Sequence, residues 1–88
     1  GESMLVAFIG GGNMATALVG GLQKSGRTGL EIRVADPSDD ARRRLRADFG
    51  VSVAERASEV VDGADVIVLA IKPQVMPAVL RELAGKVE

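Results

Sequence analysis

Apolar residues along the chain fall into short continuous runs separated by polar segments that contain glycine or proline. Two of these runs, Leu5–Ile9 and Asp65–Ile71, are typical of strands buried on both faces of a parallel sheet. Two shorter segments, Glu31–Ala35 and Val51–Val53, predict further strands. We therefore expect four strands, with the two longer runs in the centre of the sheet.

Between the strands, apolar residues recur at the three- and four-residue spacing of one helix face. The three groups are Met14, Leu18 and Leu22; Ala41, Leu45 and Phe49; and Val75, Val79, Leu80 and Leu83. Lys24-Ser25-Gly26 ends the first helix, Gly50 ends the second, and Ser38 or Asp39 caps the second at its start. The third helix, Val75–Ala84, tolerates Pro77 only in its first turn.

A short helix over Glu59–Asp62, capped by Ser58, is predicted between the third and fourth strands. Strands and helices then alternate along the whole chain. Alternation of this kind requires parallel strands joined by right-handed crossovers, with the spatial order three-two-one-four. The predicted fold class is α/β, a Rossmann-type doubly wound parallel sheet. Since a complete fold of this type continues further, we expect it to be truncated after about four strands.

Composition narrows the possible functions. The chain of 88 residues has the length of one small domain. Gly1-Glu2-Ser3 before Met4 is typical of residues left by cloning, so we assign the domain to residues 4–88. Eleven basic and twelve acidic residues form no broad basic face, so we expect no nucleic-acid partner. No apolar run approaches the roughly 20 residues of a membrane span, and no export signal is evident. The expected location is cytoplasmic.

Cysteine and histidine are both absent. Their absence removes disulfides, the usual zinc ligand sets and imidazole acid–base catalysis, and we predict no metal site. The chemistry must then come largely from a bound cofactor.

The best candidate for a cofactor site is the glycine-rich loop between the first strand and the first helix. Its residues are Gly10, Gly11, Gly12, Asn13, Met14 and Ala15. Gly10 permits a tight turn, Gly12 admits a pyrophosphate close to the backbone, and Ala15 lets helix and strand pack closely. The backbone N–H groups of Asn13 and Met14 then face the phosphates at the positive end of the helix dipole. The alternative is a simple turn that binds nothing.

Asp36 ends the second predicted strand, 21 positions after Ala15. A carboxylate at this place can bind the adenosine ribose hydroxyls, which favours NAD(H), or it can form a turn before Pro37. Ser38 and Arg42 are close enough in sequence to receive the 2′-phosphate of NADP(H) if Asp36 turns away. Both cofactors therefore stay open.

Lys72-Pro73 follows the fourth predicted strand, at the edge of the sheet where ligands of open α/β folds bind. Lys72 is either a cofactor contact or a solvated side chain at a strand end. We expect the side chains of Met14 and Met76 to serve packing rather than cofactor binding.

Several of these segments together are more specific than the glycine pattern alone. They are Ala7-Phe8-Ile9-Gly10-Gly11-Gly12-Asn13-Met14-Ala15, Gly20-Gly21-Leu22, Asp36-Pro37-Ser38, and the stretch from Ala64-Asp65 to Lys72-Pro73-Gln74. In this combination the chain resembles the amino-terminal domain of the pyrroline-5-carboxylate reductase family. The resemblance extends from Leu5 to Leu83.

The resemblance implies an NADP(H)- or NAD(H)-dependent oxidoreductase that reduces 1-pyrroline-5-carboxylate to L-proline in proline biosynthesis. It implies cofactor contacts from the glycine loop and from two other segments. These contacts are Ile9, Gly10, Gly11, Gly12, Asn13, Met14 and Ala15; Asp36 and Ser38; and Ala70, Ile71, Lys72 and Pro73. It further implies that the small-molecule substrate and the homo-oligomer contacts belong to a carboxyl-terminal helical domain absent from this chain. No catalytic residue can be assigned, and the chain alone is expected to be inactive.

Two alternatives remain open. A nucleotide-sensing regulatory module uses the same loop without catalysis, but gives no reason for Lys72-Pro73-Gln74. A β-hydroxyacid dehydrogenase-like oxidoreductase shares the fold and the hydride chemistry, but favours a Gly-Leu-Gly-x-Met-Gly loop.

Overall fold

The computed structural model describes residues 3–85, and these contain one parallel four-stranded sheet with the order β3-β2-β1-β4. The strands are β1 (Met4–Ile9), β2 (Leu30–Ala35), β3 (Ser52–Ala54) and β4 (Val66–Leu69). The predicted order three-two-one-four is confirmed. Two of the three residues assigned to cloning, Gly1 and Glu2, and the last three of the predicted 4–88 domain lie outside the described residues.

Within residues 3–85, three α-helices connect or follow the strands. They are α1 (Asn13–Lys24), α2 (Asp39–Phe49) and α3 (Met76–Leu83). The Ser38 hydroxyl accepts a hydrogen bond from the Ala41 N–H at 3.2 Å, so Ser38, one of the two predicted caps, begins α2. Gly50 ends α2 with the left-handed φ of 67° that favours glycine. Pro77 lies in the first turn of α3, as predicted.

The helices cover both faces of the sheet because alternate residues of β1 point to opposite sides. Val6 and Phe8 pack on one side, against α1 and α2. Ala7 and Ile9 pack on the other side, in a cluster that includes Leu83 of α3. All four residues are buried, so β1 lies at the centre of a doubly wound core.

The predicted helix at Glu59–Asp62 is wrong. The structure has a single 3₁₀ turn, Ala57–Glu59, and Arg56 rather than Ser58 precedes it. The Glu59 carboxylate accepts the Arg56 N–H at 2.9 Å, while the Ser58 N–H donates to the Glu82 carboxylate at 2.8 Å. The chain then buries the adjacent residues Val60 and Val61.

The fourth strand also differs from its prediction. β4 is shorter than Asp65–Ile71 and, within residues 3–85, pairs only with β1. It is therefore an edge strand here rather than a central one. Its apolar residues Val66 and Leu69 remain 42% and 37% exposed, because no further strand covers them in the described part of the chain.

Candidate functional site: a cleft over the glycine loop

A cleft of about 600 Å³ opens where the carboxyl ends of β1, β2 and β4 meet. Its walls come from the glycine loop, the segments after β2, β3 and β4, and one face of α3. The lining residues are Ile9, Gly10, Gly12, Ala35, Asp36, Pro37, Glu55, Arg56, Ala57, Ala70, Ile71, Lys72, Val75, Val79 and Glu82. This edge is where open α/β sheets bind ligands.

Gly10 fixes the path of the loop as it leaves β1. Its φ is 104°, and a side chain there would overlap the carbonyl oxygen of Ala70. The Gly10 N–H donates to the Ala35 carbonyl at 2.8 Å, and the Ala70 N–H donates to the Ile9 carbonyl at 2.8 Å. The loop therefore lies tightly between the ends of the two neighbouring strands, which only glycine permits at this position.

Gly11 is buried beneath the loop. Its N–H donates to the Asp36 carboxylate at 2.7 Å, and a Cβ at this position would lie 2.7 Å from Cδ1 of Leu45. Leu45 is itself fully buried in the core. The middle glycine is thus needed for close packing between the loop and α2.

Gly12 has the opposite surroundings. It begins α1 with an ordinary φ of −79°, and a Cβ there would meet no protein atom within 4 Å. It lines the cleft, so a side chain at residue 12 would project into space that the fold leaves open. This geometry fits a site where a ligand approaches the backbone closely.

The amino terminus of α1 can hold an anion at this point. No side chain caps α1, and its first turn contains no acidic residue. The first N–H groups of the helix, which include those of Asn13 and Met14, lack intrahelical acceptors. Together with the positive end of the helix dipole, they form a binding place for phosphate groups.

Asp36 holds two loops together. One carboxylate oxygen, Oδ2, accepts the Gly11 N–H, and Oδ1 accepts the Ser38 N–H at 2.8 Å. Arg42 donates to the backbone carbonyl of Asp36 at 2.8 Å and forms an ion pair with Asp39 at 3.1 Å. The predicted turn role of Asp36 is therefore observed, while its predicted ribose contact stays a prediction.

The segment after β4 forms another wall. Ala70, Ile71 and Lys72 line the cleft, and the Lys72 carbonyl accepts the Val75 N–H at 3.0 Å as the chain turns toward α3. The Lys72 side chain is exposed and forms no ion pair with any residue from 3 to 85. Its cationic group is thus available to a ligand.

Glu82 and Arg56 complete the rim, and the sequence pattern had not singled out either residue. The hydrogen bond from the Ser58 N–H lowers the pKa of Glu82, and Arg56 lies 3.8 Å from the same carboxylate. These residues are separated by more than twenty positions in the sequence. Because only the fold brings them together, no local spacing could have indicated the pair.

The structure brings most of the predicted cofactor contacts to one place. Ile9, Gly10, Gly12, Asp36, Ala70, Ile71 and Lys72 all line the cleft. Gly11 and Ala15 are buried, and Asn13, Met14, Ser38 and Pro73 are exposed outside the lining. The Met14 side chain is 60% exposed, so the expectation that it serves packing is wrong.

Other features of the described residues point less clearly to a ligand than the cleft does. A smaller depression of about 360 Å³ lies at the opposite edge of the sheet, beside Arg27 and Gly50, away from the glycine loop. No group of three or more acidic, histidine or cysteine residues between positions 3 and 85 could hold a metal ion. None of the helices in this range has the length and apolar character needed to cross a membrane.

The parallel sheet, its strand order and the glycine loop at its carboxyl edge define a Rossmann-type α/β domain. Residues 5–88 match the model of the family described as NADP oxidoreductase, coenzyme F420-dependent. The chain belongs to this family.

Individual relatives confirm the likeness seen in the sequence. The chain is 46% identical over 79 residues to pyrroline-5-carboxylate reductase of Pseudomonas aeruginosa, a match covering 90% of the chain and 29% of the relative. It is 43% identical over 81 residues to the Escherichia coli pyrroline-5-carboxylate reductase, a match that covers 91% of the chain and 30% of the relative. The chain thus spans about three-tenths of the length of these curated relatives.

Solved structures agree. A pyrroline-5-carboxylate reductase from Coxiella burnetii superposes with a TM-score of 0.88 and 34% identity, covering 96% of the chain and 31% of that structure. The WlbA dehydrogenase from Bordetella pertussis gives a TM-score of 0.75 at 21% identity over 96% of the chain and 27% of that structure, and supports the fold alone. The predicted Rossmann-type fold is confirmed.

Proposed function

We propose that this chain is the dinucleotide-binding part of a pyrroline-5-carboxylate reductase. Its role is to hold NAD(H) or NADP(H) for the reduction of 1-pyrroline-5-carboxylate to L-proline in proline biosynthesis. One observation carries the proposal: Gly12 leaves open space at the uncapped start of α1, inside the cleft of about 600 Å³. The names of the relatives favour this reductase over a sensing module or a β-hydroxyacid dehydrogenase.

The cleft, together with the exposed start of α1 and the exposed segment beside it, fits an extended dinucleotide. The N–H groups of Asn13 and Met14 bind the pyrophosphate, and Asp36 faces the adenosine ribose. On the opposite wall, the segment Ala70–Pro73 supports the nicotinamide half, with the Lys72 ammonium beside the ligand. A dinucleotide of this class supplies a hydride when it is bound. The chain contributes by positioning the cofactor and by the charges around it. Neither contribution requires histidine or cysteine, which the chain lacks.

The remaining parts of the full-length protein are part of the same proposal. A carboxyl-terminal helical domain, outside this chain, binds the cyclic imine substrate and forms the homo-oligomer, in the cytoplasm. This division predicts that the 88-residue chain binds cofactor but does not turn over substrate. A steady-state assay with 1-pyrroline-5-carboxylate and NADPH or NADH tests this prediction, and turnover by the chain alone would refute it.

The binding experiment is a calorimetric titration of the chain with NADH and NADPH, repeated with Gly12→Val. The matched control is Gly21→Val, because residue 21 lies in the same helix and a Cβ there also meets nothing within 4 Å. We expect saturable binding by the wild type and by Gly21→Val, and at least about a tenfold loss in Gly12→Val. Equal affinity in all three proteins, or no binding by the wild type, would contradict the proposal.

A further inference from the structure

Glu82 belongs to α3 but lies beside the segment that follows β3. The Ser58 N–H donates to its Oε2 atom at 2.8 Å. The end of β3 is in turn joined to the end of β2, because the Asp36 N–H donates to the Ala54 carbonyl at 3.0 Å. Since β3 pairs with β2 while β4 lies on the other side of β1, Glu82 is on the Asp36 side of the cleft.

An apolar strip of α3 leads along the cleft to Glu82. Val75, Val79 and Glu82 follow one another at spacings of four and three residues, and all three line the cleft. Val75 is 43% exposed, so its apolar surface is still open to a ligand. The buried residue Ala57 adds an apolar wall from the 3₁₀ turn. An apolar strip that ends in a carboxylate fits a flat ring with an N–H donor at its edge.

The Glu82 carboxylate keeps acceptor positions for such a donor. An ionised carboxylate offers about four lone-pair positions, and the N–H and hydroxyl of Ser58 take at most two of them. Arg56 lies 3.8 Å from Oε2 and its side chain is 69% exposed, so this ion pair does not close off the carboxylate. The hydrogen bonds from Ser58 also lower the pKa of Glu82, which keeps the group ionised at neutral pH.

We propose that Glu82 binds the 6-amino group of the adenine ring of the dinucleotide, while the ring packs on Val75 and Val79. The inference rests on the proposed function and assigns a role in the same cleft to a residue of α3. With the ribose at Asp36, the base extends toward the 3₁₀ turn and α3, which form the walls on this side. The 6-amino group is the N–H donor of adenine, and an ionised carboxylate accepts but cannot donate. Glu82 therefore favours adenine over a base with a carbonyl at position 6.

The test compares dissociation constants for NADH and for reduced nicotinamide hypoxanthine dinucleotide, which has a carbonyl oxygen in place of the 6-amino group. Glu82→Gln keeps a carbonyl oxygen for the Ser58 N–H and can turn its amide N–H₂ toward the ligand. Asp40→Asn is the matched control, because it also removes one carboxylate charge, from a side chain that is 84% exposed and outside the cleft lining. Circular dichroism verifies that each variant is folded.

We expect the wild type and Asp40→Asn to bind NADH at least about fivefold more tightly than the hypoxanthine analogue. Glu82→Gln should lower this ratio to about one, because its amide can donate to the carbonyl oxygen at position 6. A purely structural role of Glu82 would weaken both ligands equally. Equal affinities in the wild type, or an unchanged ratio in folded Glu82→Gln, would therefore overturn this inference while leaving dinucleotide binding intact. If the wild type binds neither dinucleotide, the proposed function fails and the inference fails with it.

Discussion

The backbone N–H of Ser58 donates a 2.8 Å hydrogen bond to the carboxylate of Glu82, which joins the 3₁₀ turn to α3 beside the cleft. This bond stabilises the ionised carboxylate and lowers the pKa of Glu82 below its ordinary value of 4.5. The folded state therefore gains stability from Glu82 above that pH. The gain is lost as the pH falls through the lower pKa of the folded state.

The first prediction follows from the lowered pKa of Glu82. Glu82→Gln removes the titrating group, so its melting temperature should fall less than that of the wild type between about pH 5 and about pH 3. Thermal unfolding followed by circular dichroism measures the difference. Glu55→Gln, on the same rim but with an exposed side chain, is the control and should follow the wild type. Parallel pH profiles for wild type and Glu82→Gln would show that the Ser58 contact does not stabilise the fold.

The second prediction separates two glycines of the same loop. Gly10→Ala places a Cβ at a φ of 104° and against the Ala70 carbonyl, so it should destabilise the fold by about 2 kcal/mol or more. Gly12→Ala has an ordinary φ and open space, and should leave the free energy of unfolding within about 0.5 kcal/mol of wild type. Urea unfolding measures both. Similar effects from the two substitutions would contradict the described path of the loop.

The third prediction concerns α1. Gly21 is exposed within this helix, and a Cβ there meets nothing within 4 Å. Gly21→Ala should therefore stabilise the chain by about 0.5–1 kcal/mol through helix propensity. Gly50→Ala is the opposing control, because its left-handed φ of 67° should make alanine destabilising by about 1 kcal/mol. Thermal unfolding of both variants tests whether the two substitutions differ in sign.

The fourth prediction tests how the core supports the loop. Leu45 is fully buried and faces the position where Gly11 would carry a side chain. Leu45→Ala should cost about 2–5 kcal/mol, since it opens a cavity beneath the loop. Leu80→Ala, at a residue that is 50% exposed, should cost far less. Equal losses in the free energy of unfolding for the two variants would show that Leu45 does not pack in the core beneath the loop.

The regular elements could be predicted because each depends on local spacing. The run Leu5–Ile9 is a buried strand, and Ala41 and Leu45 do face the core from α2. The 3₁₀ turn was missed because it is set by Glu59 bonding Arg56 and by Ser58 bonding Glu82. The second of these contacts joins residues 24 positions apart, which no local pattern encodes.

The site was predictable to a similar extent. The glycine spacing placed Gly10 and Gly12 at the cleft, because a strand and a helix on either side determine the path of the loop. The contact of Asp36 with Gly11 spans 25 positions and depends on how β1 and β2 align, so the sequence indicated the residue but not its bond. The exposure of Met14 likewise depends on what packs against α1 rather than on the spacing of apolar residues.

The most direct test of the central claim is a ¹H–¹⁵N correlation spectrum of the chain titrated with NADH. If the amino terminus of α1 holds the pyrophosphate, the largest shift changes will fall on the amides of Gly12, Asn13 and Met14. Residues of the smaller depression, such as Arg27 and Gly50, will barely move. Unchanged amides at residues 12–14, or the largest changes around Arg27, would contradict the account.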